Sequence, residues 1–234
     1  MIAPVRVGLG DPTLIVVPLF GLNDRGTPLQ FLGTGLFTGR EPHLLTCDHV
    51  LRQWPGPVGI ALTSRGNAIF LGTPLLRDEV RDLAILRVPG YVPQNVFPFF
   101  TGDYPENFPV ISLDYAGSAT VGGELQILIN TRHGGIIRRH RQFDRLGDVG
   151  ARALELSFPA LSGASGAPVL APSIFVALGL VRDNVTHVLN HTQLEPMFDQ
   201  ANNRVEHGEY PLPAALAIDA SHLQAFFRRA GLDA

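Results

Sequence analysis

The stretch Gly33-Thr34-Gly35-Leu36-Phe37-Thr38-Gly39-Arg40-Glu41-Pro42-His43-Leu44-Leu45-Thr46-Cys47-Asp48-His49-Val50-Leu51 reads as a β-hairpin followed by a strand that delivers a histidine at its end. The same kind of short apolar run recurs on either side of it. Thr13-Leu14-Ile15-Val16-Val17, Leu83-Ala84-Ile85-Leu86-Arg87-Val88, Leu125-Gln126-Ile127-Leu128-Ile129 and Phe175-Val176-Ala177-Leu178-Gly179-Leu180-Val181 are rich in Ile, Val and Leu and end at Gly, Pro, Asn or Asp. The 25 Gly and 19 Pro lie between these runs as punctuation and are not pooled in one linker, so the pattern is that of many short strands closed into a sandwich or barrel.

At 234 residues the chain can bury a real core, either as one large all-β unit or as two small barrels. With 45% apolar and 17% charged residues its composition is globular. A net charge of −3 leaves no broad basic field to neutralise a phosphate backbone, so nucleic acid is not an expected partner. Cys47 is the only cysteine, which precludes an intramolecular disulfide. Together with a start, Met1 to Arg6, that lacks a secretory pattern, this predicts a cytoplasmic protein. Runs such as Leu14 to Phe20 are strand-sized and too short to span a bilayer, so no membrane association is expected.

Two segments differ from the rest. Val92 to Pro109 carries four prolines and four phenylalanines without periodicity, as suits a connector lying across a surface between two halves. Asp219 to Leu232 predicts one helix, capped by Asp219 or Ser221, with Leu223, Phe226 and Phe227 on one face and Gly231 at its end. The expected organisation is an N-terminal barrel over residues 1–95, a connector over 96–109, a second barrel over 110–218 and a terminal helix over 219–234.

Three segments carry chemistry. The opening stretch delivers His49. Arg81-Asp82-Leu83-Ala84-Ile85-Leu86 sets an aspartate directly before a buried strand, and Leu161-Ser162-Gly163-Ala164-Ser165-Gly166-Ala167-Pro168-Val169 holds a serine among small residues in a tight turn. Each has an ordinary structural explanation by itself: a histidine that packs, an aspartate that forms a turn, a small-residue loop. In this order, with 33 residues from His49 to Asp82 and 83 from Asp82 to Ser165, they resemble the trypsin-like serine peptidases, nearest to the bacterial HtrA/Deg-type group. The resemblance spans about Leu32 to Leu180. It implies an all-β fold of two packed six-stranded antiparallel barrels with a C-terminal helix, no cofactor or metal, and a protein or peptide substrate.

The resemblance also implies a catalytic triad of Ser165, His49 and Asp82. A serine hydroxyl is a poor nucleophile until an imidazole takes its proton, and a carboxylate on the other ring nitrogen fixes the tautomer and stabilises the imidazolium. Gly163 and Ser165 would then offer main-chain N–H groups to the oxyanion. Small side chains around Ser165 let a substrate carbonyl approach the backbone.

Departures from the family pattern bear on control and specificity. Ala164 stands where secreted trypsins hold the aspartate that receives a freed N-terminus, so activation by N-terminal trimming has no acceptor here. Pro159 stands six residues before the serine, where trypsin holds an acid, which predicts apolar or small residues before the cut unless Glu155 or Asp183 reaches the pocket. Arg182, Asp183 and Asn184, just past the last strong strand, are the expected edge for substrate backbone. No PDZ domain is expected after the final helix, so restraint falls to a narrow pocket, an unformed oxyanion turn or a regulatory protein partner.

Rival readings are weaker on the residues. An α/β-hydrolase elbow requires G-x-S-x-G, which Ala167 breaks, and a βα alternation that is absent. His187 and His191 share a spacing that would suit a metal only on a helix with Glu195, and Asn190 and Pro196 argue for a polar loop. His133, His140, Arg132, Arg138, Arg139, Arg141 and Arg145 form one basic cluster, expected as a solvated loop. The rival from a different class is a catalytically inactive or latent barrel that binds a peptide along a strand edge.

Overall fold

The structure is a computed structural model and describes residues 11–39, 41–91, 93, 96–140, 152–172, 174, 176–189 and 210–232. Fourteen strands and two helices lie among them. Strands β1 (Val16–Leu22), β2 (Pro28–Thr38), β3 (His43–Thr46), β4 (Val58–Leu62), β5 (Ala68–Asp78) and β6 (Leu83–Arg87) close into one antiparallel barrel in the order β1-β2-β3-β6-β5-β4. Of the remainder, β7 (Pro109–Asp114), β10 (Asn130–His140), β11 (Ala153–Leu156), β12 (Pro168–Ala171), β13 (Val176–Leu189) and β14 (Tyr210–Asp219) close a second, in the order β10-β11-β14-β13-β12-β7. A small hairpin, β8 (Ala119–Val121) with β9 (Glu124–Gln126), projects from the second barrel. The fold is thus two closed six-stranded barrels. Closure leaves no strand of either barrel without a partner on each side over at least part of its length, which is how an all-β chain limits edge-to-edge association.

One apolar core runs through both barrels. It joins Leu19, Leu36, Leu44, Leu45 and Ile85 of the first to Leu170, Leu180, Leu216 and Ile218 of the second. The terminal helix α2 (Ala220–Arg229) packs into the same core through Leu223, Phe226 and Phe227, the face its sequence marks out. Asp219 caps it, accepting from the Ser221 N–H at 2.9 Å. The connector is tied down: Phe97 is buried, the Phe99 ring lies tilted at 5.8 Å from that of Phe227, the Phe100 N–H donates to the Ala177 carbonyl and the Ala177 N–H to that of Pro98. Tyr115 crosses between the barrels. Its fully buried ring sends the phenol to the Val16 carbonyl at 2.8 Å.

The observed elements differ from the sequence expectation in three places. Pro12–Leu14 forms a 3-10 turn capped by the Asp11 carboxylate, so the run at Thr13 becomes a strand only from Val16. Leu125 to Ile129 is not one strand. β9 stops at Gln126, and Leu125 and Ile127 pack against the Phe20, Leu22 and Ala61 cluster of the first barrel, leaving Leu128 and Ile129 exposed. The basic cluster is not a solvated loop either, because Arg132, His133, Arg138, Arg139 and His140 lie in β10. Arg132 donates to the buried Asp114 at 2.6 Å, and Arg139 bonds Asp219 and Asp103. A ladder of backbone pairs plus two buried acids outweighs the solvation of those arginines. Arg141 and Arg145 lie outside the described residues.

Tyr115→Phe removes a buried hydrogen bond between barrels while keeping the ring. It should cost about 1 kcal/mol or more and lower the melting temperature by roughly 2–4 °C. A variant melting with wild type would show that the bond contributes nothing.

Candidate active site

The cleft between the barrels is assembled from the end of β3, the start of β6 and the turn before β12. His49 sits in a single helical turn, α1 (Asp48–Arg52), entered from Cys47 directly after β3. Asp48, wholly buried, fixes that turn by accepting Arg77 Nε at 2.6 Å and pairing with Arg52 Nε at 3.0 Å. Its own N–H donates to the Asp82 carbonyl at 3.1 Å.

Asp82 opens β6 in a left-handed conformation, φ 57°, which few residues other than Gly, Asn and Asp adopt. That twist turns its carboxylate back onto α1. Oδ1 accepts the His49 main-chain N–H at 2.8 Å, and Oδ2 lies 2.7 Å from the imidazole Nδ1. The Asp82 side chain is only 4% exposed and that of His49 32%. Burial pushes the Asp82 carboxyl up, but the hydrogen bonds and charge of His49 and the bond from Arg182 outweigh it and hold the group below the ordinary carboxylate range. Opposite an ionised Asp82, Nδ1 is the donor, which leaves Nε2 as the acceptor in the neutral ring.

Ser165 stands in a turn bounded by two left-handed glycines, Gly163 at φ 92° and Gly166 at φ 88°. Neither position admits a side chain. A Cβ on Gly163 would meet the Phe31 ring at 2.2 Å, and one on Gly166 the Thr34 carbonyl oxygen at 1.9 Å. The turn is laced to the first barrel by Thr34, whose N–H donates to the Ser165 carbonyl at 2.9 Å and whose hydroxyl donates to that of Gly163 at 3.0 Å. The Gly163 and Ser165 N–H groups donate to no acceptor among the described residues. Gly33 lies where the His49 turn and the serine turn meet, since a Cβ there would touch Val50 and the Ser165 carbonyl oxygen at 3.0 and 3.1 Å.

Arg182 links the groups. A register shift between Val181 and Asp183 in β13 sets Arg182 outside the regular ladder. Its Nε donates to Asp82 Oδ2 at 3.0 Å, the same oxygen that His49 engages, while its carbonyl accepts the Ser165 hydroxyl at 2.9 Å. Among the described residues the serine hydroxyl does not bond the imidazole. Arg182 therefore faces the cleft with a cation as well as with main chain, a role the sequence does not signal because nothing local encodes the bulge. Asp183 is partly exposed, 3.7 Å from the Arg182 guanidinium. Asn184 binds Ala160 across the cleft, Pro159 is half-buried beside it, and Glu155 is buried within β11.

Cys47, His49 and Asp82 place three metal-ligating atoms within 4.8 Å of one another. The set fits a metal poorly. Burial, followed by the Asp82 charge, pushes the Cys47 thiol well up, and its sulfur donates to the Val181 carbonyl at 3.3 Å, so it stays a thiol. His187 lies in β13, not in a helix, and His191 and Glu195 fall outside the described residues.

Residues 33–179 match the family model of the trypsin-like peptidase domain. The chain belongs to that family. By membership it is a serine endopeptidase. Among solved structures it is similar to the Rv3671c protease of M. tuberculosis in its active form, with 19% identity over 100% of this chain and 90% of that one at a TM-score of 0.61. The serine endoprotease from Yersinia pestis and the HtrA-type protease AlgW, solved with a decapeptide, each match at 14% identity and a TM-score of 0.61 over 93% of this chain. This trypsin-like chain covers 63% and 64% of those two, respectively. These likenesses establish the double-barrel fold. No curated protein matches the chain in sequence. No helix among the described residues is long and apolar enough to cross a membrane.

Because the Asp82 carboxyl is held down in the folded protein, its contribution to stability is complete above the unfolded carboxylate range and is lost as pH falls through the lower folded value. Denaturation measured from pH 7 to pH 3 should show stability falling in that acid window. Asp82→Asn should flatten the fall while lowering stability at pH 7, since His49 and Arg182 lose their shared acceptor. An identical pH slope in the two proteins would contradict the assignment.

Proposed function

We propose that this trypsin-like chain hydrolyses peptide bonds with Ser165 as nucleophile, His49 as general base and then acid, and Asp82 as the group that orients and stabilises the imidazole. The observation that carries the reading is the 2.7 Å contact from His49 Nδ1 to a buried, ionised Asp82, set beside a serine turn that a second barrel delivers. Ser165 Oγ attacks the carbonyl carbon of the scissile bond and passes its proton to His49 Nε2. The oxygen that gains charge lies toward the Gly163 and Ser165 N–H groups, which have no acceptor of their own among the described residues. His49 then protonates the departing amine. A water repeats the sequence on the acyl-enzyme and frees Ser165.

One step precedes the chemistry. The Ser165 hydroxyl donates to the Arg182 carbonyl at 2.9 Å and must turn to His49 before it can be activated. The same bond favours a second reading, a latent barrel that reaches its active arrangement only with a bound peptide or a regulatory protein. The two differ in whether the free protein reacts with a fluorophosphonate at Ser165.

The substrate is a protein or peptide, and neither nucleic acid nor a membrane is expected as a partner. The residue before the cut is small or apolar, since Pro159 stands six residues before Ser165 where trypsin holds an acid, and Glu155 is packed into β11. A single buried thiol and no disulfide suit the reducing conditions of a cytoplasm.

Ser165→Ala should reduce peptide and ester hydrolysis by about 10⁴-fold or more with the fold intact. Turnover at the wild-type rate in that variant, with an unchanged circular dichroism spectrum, would remove Ser165 from the mechanism. EDTA should leave activity unchanged. Loss on chelation with recovery in zinc would place a metal in the Cys47, His49 and Asp82 group after all.

A further inference from the structure

Beside Ser165, one side chain spans the gap between the two walls of the cleft. β13 pairs with β12 only as far as Leu180, and Val181 still exchanges main-chain bonds with Gly166 and Ala167. β12 runs no further along that edge, while the opposite edge stays on β14, with Asp183 against Leu216 and Asn184 against Ala215. Facing Asn184 is the segment from Ser157 to Leu161. It is anchored from behind by the Ala215 N–H, which donates to the Phe158 carbonyl at 2.7 Å. The Asn184 carboxamide closes the space between: its Oδ1 accepts the Ala160 N–H at 2.7 Å, and its Nδ2 donates to the Ala160 carbonyl at 2.7 Å. Both polar groups of one main-chain residue are thus taken up by one side chain.

The position of Ser165 gives that clasp a meaning. With the acyl carbon at Ser165 Oγ and its oxygen toward the Gly163 and Ser165 N–H groups, the peptide leading up to the bond lies along the main chain that follows Val181, beside Arg182 and Asn184. The side chain of the residue that supplies the carbonyl then falls between that edge and residues 159–163, where the Asn184 amide lies. We propose that Asn184 is a specificity-determining residue, which restricts this recess to the small side chains of Gly, Ala or Ser by tying its two walls together through Ala160. The proposal rests on the reading of Ser165 as nucleophile.

A Phe or Leu side chain has to displace the amide and leave the Ala160 N–H and carbonyl and both ends of Asn184 to find other partners in a partly buried site. Unmade hydrogen bonds of this kind discriminate more steeply than a shortage of space, because each stranded group carries its own desolvation cost.

Peptide diphenyl phosphonates that differ only in an Ala or a Phe side chain at the reacting position test this directly. The rate of Ser165 modification is followed by intact mass on the full chain. Wild type should favour the Ala probe by roughly 100-fold. Asn184→Ala should narrow that ratio to within about tenfold, chiefly by faster reaction with the Phe probe. Asn184→Asp keeps the shape and the acceptor for the Ala160 N–H but loses the donor for its carbonyl, and should give an intermediate ratio. Equal rates with the two probes in wild type, or an unchanged ratio in both variants, overturns the role of Asn184. A plain alkyl fluorophosphonate separates the two levels. If it labels Ser165 while the ratio ignores Asn184, only the clasp is refuted. If it labels no protein at Ser165, with or without a bound peptide, the nucleophile assignment falls and the proposal with it.

Discussion

One carboxylate, that of Asp82, imposes most of the constraints on the cleft. A charge with 4% side-chain exposure is tolerated only where opposite charge and hydrogen bonds replace its lost water. Two elements supply them: α1 through the N–H and ring of His49 and through Arg52 at 3.9 Å from Oδ1, and β13 through Arg182. The left-handed backbone at Asp82 is the local cost of aiming it there. The demand propagates outward. For α1 to present His49 at the right height its own first residue, Asp48, is buried as well, and that charge requires Arg77 from β5 and Arg52. Two buried acids and their arginines thus connect α1 to β5, β6 and β13, so the imidazole is held by parts of both barrels.

The second constraint is steric and lies at the serine turn. Gly166 presses against the Thr34 carbonyl so closely that no side chain fits, and Thr34 in turn donates to Ser165 and Gly163. Thr46 completes the link from β3, giving its hydroxyl to the Thr34 carbonyl at 2.8 Å. The turn from the second barrel is therefore shaped against β2 and β3 of the first, which are the strands leading into His49. Docking the barrels and setting the distance between imidazole and serine turn are one event, and the shared apolar core with Tyr115 running across it supplies the driving force.

What the sequence discloses divides along this line between local and long-range causes. The short apolar runs, the glycine punctuation and the capped terminal helix are local signals, and they are sufficient for an all-β chain ending in a helix. His49, Asp82 and Ser165 stand out in the sequence only through the resemblance of their three segments, taken in order, to the trypsin-like peptidases; the positive φ of Asp82 and the left-handed glycines flanking Ser165 are seen in the structure. The failures have long-range causes. Arg132 and Arg139 look like solvent-facing residues until β7 and β14 bring Asp114 and Asp219 within reach. Leu125 to Ile129 resembles one strand by composition, yet sheet pairing ends at Gln126, and Leu125 and Ile127 pack on an apolar surface of the first barrel that lies far away in sequence. Arg182 reads as edge backbone, and only the bulge in β13, set by pairing with a strand 35 residues further on, swings its side chain onto Asp82.

That bulge places a permanent cation and a proton acceptor, both from Arg182, in the middle of the proposed chemistry. The guanidinium competes with His49 for the same Asp82 oxygen, so on the proposed mechanism the carboxylate would divide its field between a fixed charge and one that appears only when His49 takes the serine proton. The carbonyl competes for the serine hydroxyl itself. Each contact favours the resting arrangement over the reacting one by a hydrogen bond, a difference in the range that binding of a peptide along residues 182–184 can reverse. On the proposed reading, a substrate strand paired to that edge would engage main chain next to Arg182 and bias the position of its carbonyl. In the proposed mechanism the element that receives the substrate is therefore the same one that holds Ser165 in reserve, and occupancy of the cleft and release of the nucleophile are coupled through one residue without a second site.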